Sequence, residues 1–351
     1  MHRSVFAAVV AAALVLSAVA SGGSKPGPSQ GATSAGTLVT SNIGSFKGVA
    51  AKPGPDATPV RTGTIVKNNS GALKAGVARA RPASVVFGKA PSLKASPMLR
   101  GYVVVNSGSL SNPNNTQSFG DVQCPGTTVA FGGGVFADST SVFQDVNSSF
   151  PEVSGSVATG WGGYVDNFSG ADSTFSVWAV CAKKPPNYAI VSVDNNNAAG
   201  TQVQTSVQCP IGSTSARMKP FGGGAIGASL GLLQNINSDL PIKRTKTWRV
   251  DMNNASGSDE NVTTYAVCGL RGGWEVDAGA PVANPANSQS FADVACSSGK
   301  TSTGGGVYSD SGSTSVNLNA TWPESSSSWG SYENNASGSD ASITPYAVCL
   351  N

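Results

Sequence analysis

WGGYVDNFSGADSTFSVWAVC (161–181), WRVDMNNASGSDENVTTYAVC (248–268) and WGSYENNASGSDASITPYAVC (329–349) align with one another without a gap. Each stretch begins with tryptophan and ends with cysteine. The heptapeptide NNASGSD occurs at 253–259 and again at 334–340, at the same place in two of the stretches. Such identity at a fixed spacing indicates an internal repeat, in which similar units bury their apolar faces against their neighbours.

The repeat extends upstream of these stretches. Each copy has an early cysteine, at Cys124, Cys209 and Cys296. Each early cysteine leads to three consecutive glycines, at 132–134, 222–224 and 304–306. Glycines at the start of a strand are typical of a bulge or of close approach by another backbone. We therefore divide most of the chain into copy 1 (101–187), copy 2 (188–273) and copy 3 (274–351).

Each copy is predicted to form short β-strands. Segments such as GGGVFAD (132–138) and STFSVWAVC (173–181) are rich in β-branched and aromatic residues and are bounded by Gly, Asn, Ser and Pro. No segment shows a sustained helical spacing of apolar residues. The sequence thus predicts an all-β protein of three tandem repeats, each of about 85 residues in antiparallel sheets. Two architectures remain open: a row of autonomous modules, or a β-prism around a pseudo-threefold axis.

The region before the repeats has a different composition. Residues 1–20 have a short basic start, an apolar run and small residues at Ala18 and Ala20, the pattern of a secretory signal peptide rather than a transmembrane segment. Residues 21–100 carry eleven Lys or Arg and one acid, Asp56, whereas residues 101–351 carry ten Lys or Arg and eighteen acids. We expect the basic low-complexity segment, as a flexible arm or a propeptide, to attract anionic polymers. Its lack of interleaved aromatic residues argues against nucleic acid.

The cysteines and the histidine limit the chemistry. Six cysteines in an exported chain are expected to form disulfides. Pairing within copies joins Cys124 to Cys181, Cys209 to Cys268 and Cys296 to Cys349. The other repeat-consistent scheme joins Cys181 to Cys209, Cys268 to Cys296 and Cys124 to Cys349; we favour pairing within copies. The single histidine, His2, lies in the signal peptide, so we expect no His-based catalysis, no metal site and no cofactor.

Several repeated residues are candidates for ligand binding. One position in each NNASGSD-like turn is acidic, at Asp172, Asp259 and Asp340. An asparagine precedes each turn, at Asn167, Asn254 and Asn335. Side chains of these types bind sugar hydroxyls, but they also form turns. The tryptophans that open the three stretches could bind sugar faces or belong to the core: Trp161, Trp248 and Trp329.

The arrangement CPGTTVAFGGG (124–134), followed by W, NNASGSD and YAVC, resembles a repeat of exported proteins from actinobacteria and related bacteria. Most members of that group have no assigned activity. The resemblance covers residues 101–351. Copy 2 departs from it by a longer segment between Cys209 and Gly222, and copy 3 lacks the proline after Cys296. The pattern is also similar to three-repeat β-prism proteins of extracellular coats.

From these features we predict a secreted, non-enzymatic binding protein, associated with the cell surface, that recognises a glycan or an anionic cell-envelope polymer through its repeats. Linked weak sites gain avidity, which favours binding. The alternative is a structural component of an extracellular coat or matrix. A secreted hydrolase is the third reading, because glycosidases need a pair of carboxylates. The sequence does not indicate an oligomeric state.

Overall fold

The structure, a computed structural model, describes residues 99–297 and 299–351. These residues form twenty β-strands and no helix, so the all-β prediction is confirmed. Consequently no helix in the described part of the chain is long and apolar enough to cross a membrane. The predicted signal peptide, and residues 21–98 of the basic segment, lie outside the described residues.

The strands follow the predicted copies. Copy 1 contains β1 (Val103–Asn106), β2 (Leu110–Asn112), β3 (Thr116–Gln123), β4 (Thr128–Asp138), β5 (Gln144–Ser154), β6 (Val157–Asn167) and β7 (Ser173–Lys183). Copy 2 contains β8 (Ala189–Asn197), β9 (Thr201–Gln208), β10 (Lys219–Gly227), β11 (Gln234–Ile242), β12 (Thr247–Asn254) and β13 (Glu260–Gly269). Copy 3 contains β14 (Glu275–Ala278), β15 (Val282–Asn284), β16 (Ser288–Ala295), β17 (Thr301–Ser309), β18 (Val316–Pro323), β19 (Ser328–Asn335) and β20 (Ala341–Leu350).

The strands form three antiparallel sheets, and every sheet combines two copies. Sheet I has the order β1-β7-β4-β18-β19-β16, with β2 also paired to β7, and joins copies 1 and 3. Sheet II has the order β3-β6-β5-β10-β13-β8 and joins copies 1 and 2. Sheet III has the order β14-β20-β17-β11-β12-β9, with β15 also paired to β20, and joins copies 2 and 3. Each copy is therefore divided between two sheets.

The three junctions close the assembly. The strands that contain the triple glycines are β4, β10 and β17, and the next strand of each copy is β5, β11 or β18. In every junction a triple-glycine strand pairs with the next strand of another copy: β10 with β5, β17 with β11, and β4 with β18. Copy 1 thus pairs with copy 2, copy 2 with copy 3, and copy 3 with copy 1. This cyclic order is a closed, β-prism-like arrangement and not a row of autonomous modules.

The triple glycines permit this closure. A Cβ atom on the first glycine of a triple would contact another copy's backbone: at Gly304 it would lie 2.8 Å from the Gly222 Cα. A Cβ on the second glycine, such as Gly133, would overlap the copy's own tryptophan, here Trp161. A Cβ on the third, such as Gly134, would overlap a carbonyl of the neighbouring copy. A bulge immediately precedes each triple, where the register shifts between Ala130 and Gly132, between Pro220 and Gly222, and between Ser302 and Gly304.

The disulfides connect the sheets. The bonds are Cys124–Cys181, Cys209–Cys268 and Cys296–Cys349, in agreement with pairing within copies. In each bond the first cysteine directly follows a strand (β3, β9 or β16) and the second lies in the last strand of the copy (β7, β13 or β20). These two strands belong to different sheets. Sheets I and II, II and III, and III and I are therefore each cross-linked once.

Asparagine side chains close the same cycle by hydrogen bonds. Asn147 Nδ2 donates to the Gln234 carbonyl at 2.5 Å, from copy 1 to copy 2. Asn237 Nδ2 donates to the Val316 carbonyl at 2.8 Å, and Asn319 Nδ2 donates to the Gln144 carbonyl at 2.8 Å. Asn147 and Asn319 form Asn-x-Ser/Thr sequons, but both are buried, so neither is accessible to glycosylation in the folded protein.

Candidate functional site

The three turn aspartates bind the backbone of a neighbouring turn. Asp172 Oδ1 accepts the Asn114 N–H at 3.0 Å, and Asp259 Oδ1 accepts the Ala199 N–H at 3.0 Å. Asp340 Oδ1 accepts the Ala286 N–H at 2.9 Å. All three side chains are exposed, but each carboxylate already has a repeated structural contact.

The asparagines that precede these turns are fully buried. Asn254 is typical: its Nδ2 donates to the Asn197 and Ser258 carbonyls at 2.8 Å each, and its Oδ1 accepts the Ser256 N–H at 3.0 Å. The same pattern surrounds Asn167 and Asn335. These amides therefore hold the turn to the sheet, and the structure does not present them to a ligand.

The three repeated tryptophans are also buried, with no exposed surface. Trp161 Nε1 donates to Ser149 Oγ at 2.9 Å, and Trp329 Nε1 donates to Thr321 Oγ1 at 2.7 Å. Trp248 Nε1 donates to Asp239. Each ring packs on the second glycine of its copy, so the tryptophans are core residues here and offer no platform for a sugar.

A metal site is not formed by the ionisable groups that come close together. In the described residues, the compact group of possible ligands is Asp277 with Cys296 and Cys349. The two cysteines form a disulfide. Because cysteine binds a metal ion as a thiolate, the disulfide leaves Asp277 as the one possible ligand in this group.

Copy 2 differs from the other copies at one cross-strand position. Phe119 packs on Tyr164 in copy 1, and Phe291 packs on Tyr332 in copy 3, with ring centroids 4.9 Å apart in both pairs. The equivalent pair in copy 2 is Gln204 with Asp251. The repeat alone would predict an aromatic pair in copy 2, but the chain has polar residues there.

A second substitution in copy 2 makes room beside this polar pair. Gly162 in copy 1 and Gly330 in copy 3 lie under a large ring, because an added Cβ would come within 3.0 Å of Phe150 or Trp322. Copy 2 has Leu240 in place of that ring and Arg249 in place of the glycine. The smaller leucine thus leaves space for an arginine on the sheet surface.

These changes produce an open cleft of about 490 Å³ on sheet III, beside the edge strand β9. The cleft is lined by amide, hydroxyl and guanidinium groups and one aliphatic side chain: Gln204, Ser206, Gln208, Ile242, Thr245, Thr247 and Arg249. Hydrogen-bonding groups in a concave site are the features that orient a polar ligand.

Arg249 is held in a fixed position in this cleft. Its Nε donates to Asp251 Oδ1 at 2.9 Å and its Nη2 donates to Asp251 Oδ2 at 2.6 Å. The guanidinium also lies over the Tyr308 ring, 5.2 Å from the centroid. The hydrogen bond and charge of Asp251 raise the pKa of Arg249, with a smaller effect of the neighbouring tyrosines. Such a bidentate pair orients the remaining N–H groups of the guanidinium.

The rim of the cleft carries basic side chains, although Lys243 pairs with Glu275 at 3.9 Å and the Lys246 ammonium lies over the Trp274 ring, 4.5 Å from its centroid. Thr245 lies in the β11–β12 turn between exposed Arg244 and half-buried Lys246, and Lys243 is exposed beside them. Burial lowers the pKa of Lys246, and repulsion by the charges of Lys219 and Lys243 lowers it further. An anionic ligand would relieve this repulsion.

In the described residues, Lys and Arg are confined to one end of the prism, whereas acidic side chains occur at both ends. We call the end that contains loops 139–143, 228–233 and 310–315 the acidic end, and the opposite end the basic end. In the described part of the chain, no Lys or Arg lies at the acidic end. Those after Gly101 lie at the basic end: Lys183, Lys184, Arg217, Lys219, Lys243, Arg244, Lys246, Arg249, Arg271 and Lys300.

Exposed apolar side chains are concentrated at the acidic end. Phe143, Phe168, Leu230 and Leu233 are 53%, 56%, 46% and 48% exposed. Phe143 and Phe168 are on adjacent loops, because the Phe168 N–H donates to the Phe143 carbonyl at 2.8 Å. Copy 3 has Ser315 and Ala336 at the corresponding places, so the apolar surface belongs to copies 1 and 2.

Comparison with known proteins gives no assignment for this chain. No protein-family model matches it, and no curated protein matches it at a significant level.

Proposed function

We propose that the protein is a secreted, non-enzymatic binding protein that holds an anionic glycan of the cell envelope in the cleft of copy 2. The observation that carries the proposal is the replacement of an aromatic pair by Gln204 and Asp251, with Arg249 at a glycine position. The three copies share the same strands, turns and core, and the repeated Asp, Asn and Trp residues belong to these turns and this core. A polar cleft in one copy has no role in this shared structure, and this favours a role in binding.

The chemistry of the cleft fits a glycan. Gln204, Gln208, Ser206 and Thr247 offer both donors and acceptors, as sugar hydroxyls require. Asp251 neutralises Arg249 and Glu275 pairs with Lys243, so the positive charge beside the cleft comes mainly from Arg244 and Lys246. Carboxylate or phosphate groups on the polymer would contact this rim, and the attraction would weaken as the salt concentration rises.

A glycan array that includes acidic cell-wall polysaccharides tests the proposal. The variants Gln204→Phe and Arg249→Gly introduce the residues that copies 1 and 3 have at these positions. We expect both variants to lose binding. The matched control changes Asp172, Asp259 and Asp340 to alanine, which alters the repeated turns and leaves the cleft intact. Loss of binding in this control, with Gln204→Phe unaffected, would place the site at the turns and contradict the proposal.

A structural role in a coat or matrix is the second candidate. It is favoured by the complementary ends of the prism, one acidic with exposed apolar loops and the other basic. Opposite charges and apolar tips would stack molecules end to end. Sedimentation at low salt would show concentration-dependent assembly, which Phe143→Ser with Phe168→Ala would reduce. The hydrolase reading gains no support from the cleft, whose lining residues include no carboxylate.

A further inference from the structure

Three buried pairs of polar residues surround the pseudo-threefold axis at the acidic end. Each pair joins the second residue of β5, β11 or β18 to the residue opposite it on the following strand, β6, β12 or β19. The pairs are Asp145 with Asp166 in copy 1, Asn235 with Asn253 in copy 2, and Asn317 with Asn334 in copy 3. None of the six side chains is more than 9% exposed. We call these six residues the axial ring.

Hydrogen bonds of the axial ring connect all three copies. Asn253 Nδ2 donates to Asn317 Oδ1 at 2.8 Å, from copy 2 to copy 3. Asp145 accepts Asn334 Nδ2 at 2.8 Å on Oδ1 and Asn317 Nδ2 at 3.2 Å on Oδ2, from copy 3 to copy 1. With its amide nitrogen facing copy 1, Asn235 donates to Asp166 Oδ2 at 3.0 Å.

The ring is asymmetric at Asp166. Asn253 and Asn334 each donate a further hydrogen bond to a backbone carbonyl of the next copy, Val316 or Gln144, at 2.8 Å. Asp166 has the equivalent position in copy 1, and the equivalent acceptor is the Gln234 carbonyl. A carboxylate has no proton to donate there, whereas a carboxylic acid has one.

The surroundings of the Asp145–Asp166 pair disfavour two negative charges. Both oxygens of Asp145 accept amide N–H groups, which stabilises its ionised form. Asp166 Oδ1 is buried and accepts no hydrogen bond of ordinary geometry from the described residues. Two like charges on directly opposed, buried side chains repel strongly, so one of the pair is expected to remain protonated.

The charged groups on the packed strands give no compensation. Glu333 on β19 is buried near Asp145, and as a carboxyl group it offers no positive charge to the pair. Asp138 ends β4 and accepts a hydrogen bond from Thr174. The other charged side chains of these strands lie towards the basic end: Asp121 on β3, Glu152 on β5, Lys219 on β10 and Asp239 on β11.

We propose that Asp166 binds a proton in the folded protein at neutral pH and supplies the hydrogen-bond donor that asparagine supplies in copies 2 and 3, so that closure of the axial ring depends on pH. Asp145, whose two oxygens both accept amide N–H groups, is the member of the pair that ionises first. Asn235 and Asn253 share sheet III with the proposed glycan cleft, but they lie at the acidic end of β11 and β12, whereas the cleft lies towards the basic end.

Electrostatics agree with this assignment. Burial, followed by the charge of Asp145, raises the pKa of Asp166 well above its ordinary value, although the amides of Gln117 and Asn147 oppose this in part. Burial raises the pKa of Asp145 to about 7, against the effect of its bonds from Asn334 and Asn317. An acid with a raised pKa in the folded state stabilises the fold at low pH. That stability is lost as the pH rises through the folded-state pKa.

Thermal unfolding of the full chain from about pH 3, below the unfolded-state pKa of aspartate, to about pH 9 tests the proposal with Asp166→Asn. We expect the variant to match the wild type at the acidic limit and to melt at a higher temperature at the alkaline limit. The ratio of their unfolding constants should change by up to about tenfold per pH unit within the titration range. Asp293→Asn, at an exposed acid, is the matched control and should follow the wild type throughout.

A second variant and a direct measurement separate the proposal from a general effect of amide substitution. Asn253→Asp places an acid at the equivalent position in copy 2 and should make stability fall more steeply as the pH rises. Carboxyl carbon NMR of the wild type should show the Asp166 signal unchanged through the acidic range in which exposed aspartates titrate. Ordinary acidic titration of Asp166, or identical pH profiles for wild type and Asp166→Asn, would overturn the proposal.

Discussion

Gly222 lies so close to Gly132 on the pseudo-threefold axis that a Cβ atom on Gly222 would fall 2.6 Å from the Gly132 Cα. The contact joins copy 2 to copy 1, and backbone on both sides leaves little freedom to move apart. We therefore expect Gly222→Ala to destabilise the fold by at least about 2 kcal/mol, as overpacking does in other cores. Gly257→Ala is the control, because a Cβ there would contact nothing within 4 Å. Equal denaturant midpoints for the two variants would show that the axis is not tightly packed.

The shared sheets predict one cooperative unfolding transition for the three copies. Each sheet contains two copies and each disulfide joins two sheets. Closing a loop of this length contributes on the order of 4 kcal/mol in the chain-entropy estimate. Replacing Cys209 and Cys268 by serine should therefore lower the stability of the whole prism, not of copy 2 alone. Calorimetry would contradict this account if copy 2 melted separately while copies 1 and 3 kept their wild-type transition.

The stability of the fold should also depend on pH through Glu333, independently of Asp166. Its carboxyl group is fully buried, and no described residue donates a hydrogen bond to it. Burial and the charge of Asp145 raise its pKa well above the ordinary value. Stability from the neutral acid is present below the unfolded-state pKa and is lost as the pH rises. The wild type should thus lose up to about 1.4 kcal/mol per pH unit in this range through Glu333.

The test replaces Glu333 by the residue at the equivalent place in copy 2, Met252, which lies in the apolar core. Glu333→Met should be more stable than the wild type in denaturant at about pH 8 and similar near pH 4. A variant that is less stable than the wild type at both pH values would mean that Glu333 has a favourable partner in the folded protein.

The sequence predicted the framework well because the framework is repeated. Alignment of Trp161, Trp248 and Trp329 identified the copies, and most strands follow from alternating apolar residues. The short strand β2 cannot be recognised in the sequence, since three residues carry too little pattern. The sequence does not indicate closure, because the junctions, such as that between Ala225 and Ser149, join residues far apart in sequence.

The candidate site was harder to predict than the fold. By sequence, repeated polar residues such as Asp259 and Asn254 fit both a ligand site and a turn, and in the structure both make turn contacts. The cleft arises where copy 2 departs from the repeat, at Gln204 and Arg249. That departure is visible when the copies are aligned, although the space around Arg249 depends on packing between strands. The separation of charge between the ends also depends on strand direction, which composition does not show.

The number of glycan-binding sites per chain distinguishes recognition by the cleft of copy 2 from recognition by the repeated turns. Isothermal titration calorimetry of the full chain, with the tightest-binding soluble glycan from the array, would measure it. The account predicts one site, because the polar cleft occurs in copy 2 alone among the three copies, and it predicts loss of that site in Gln204→Phe. Three equivalent sites per chain, or unchanged binding by Gln204→Phe, would contradict the account and indicate recognition by the repeated turns.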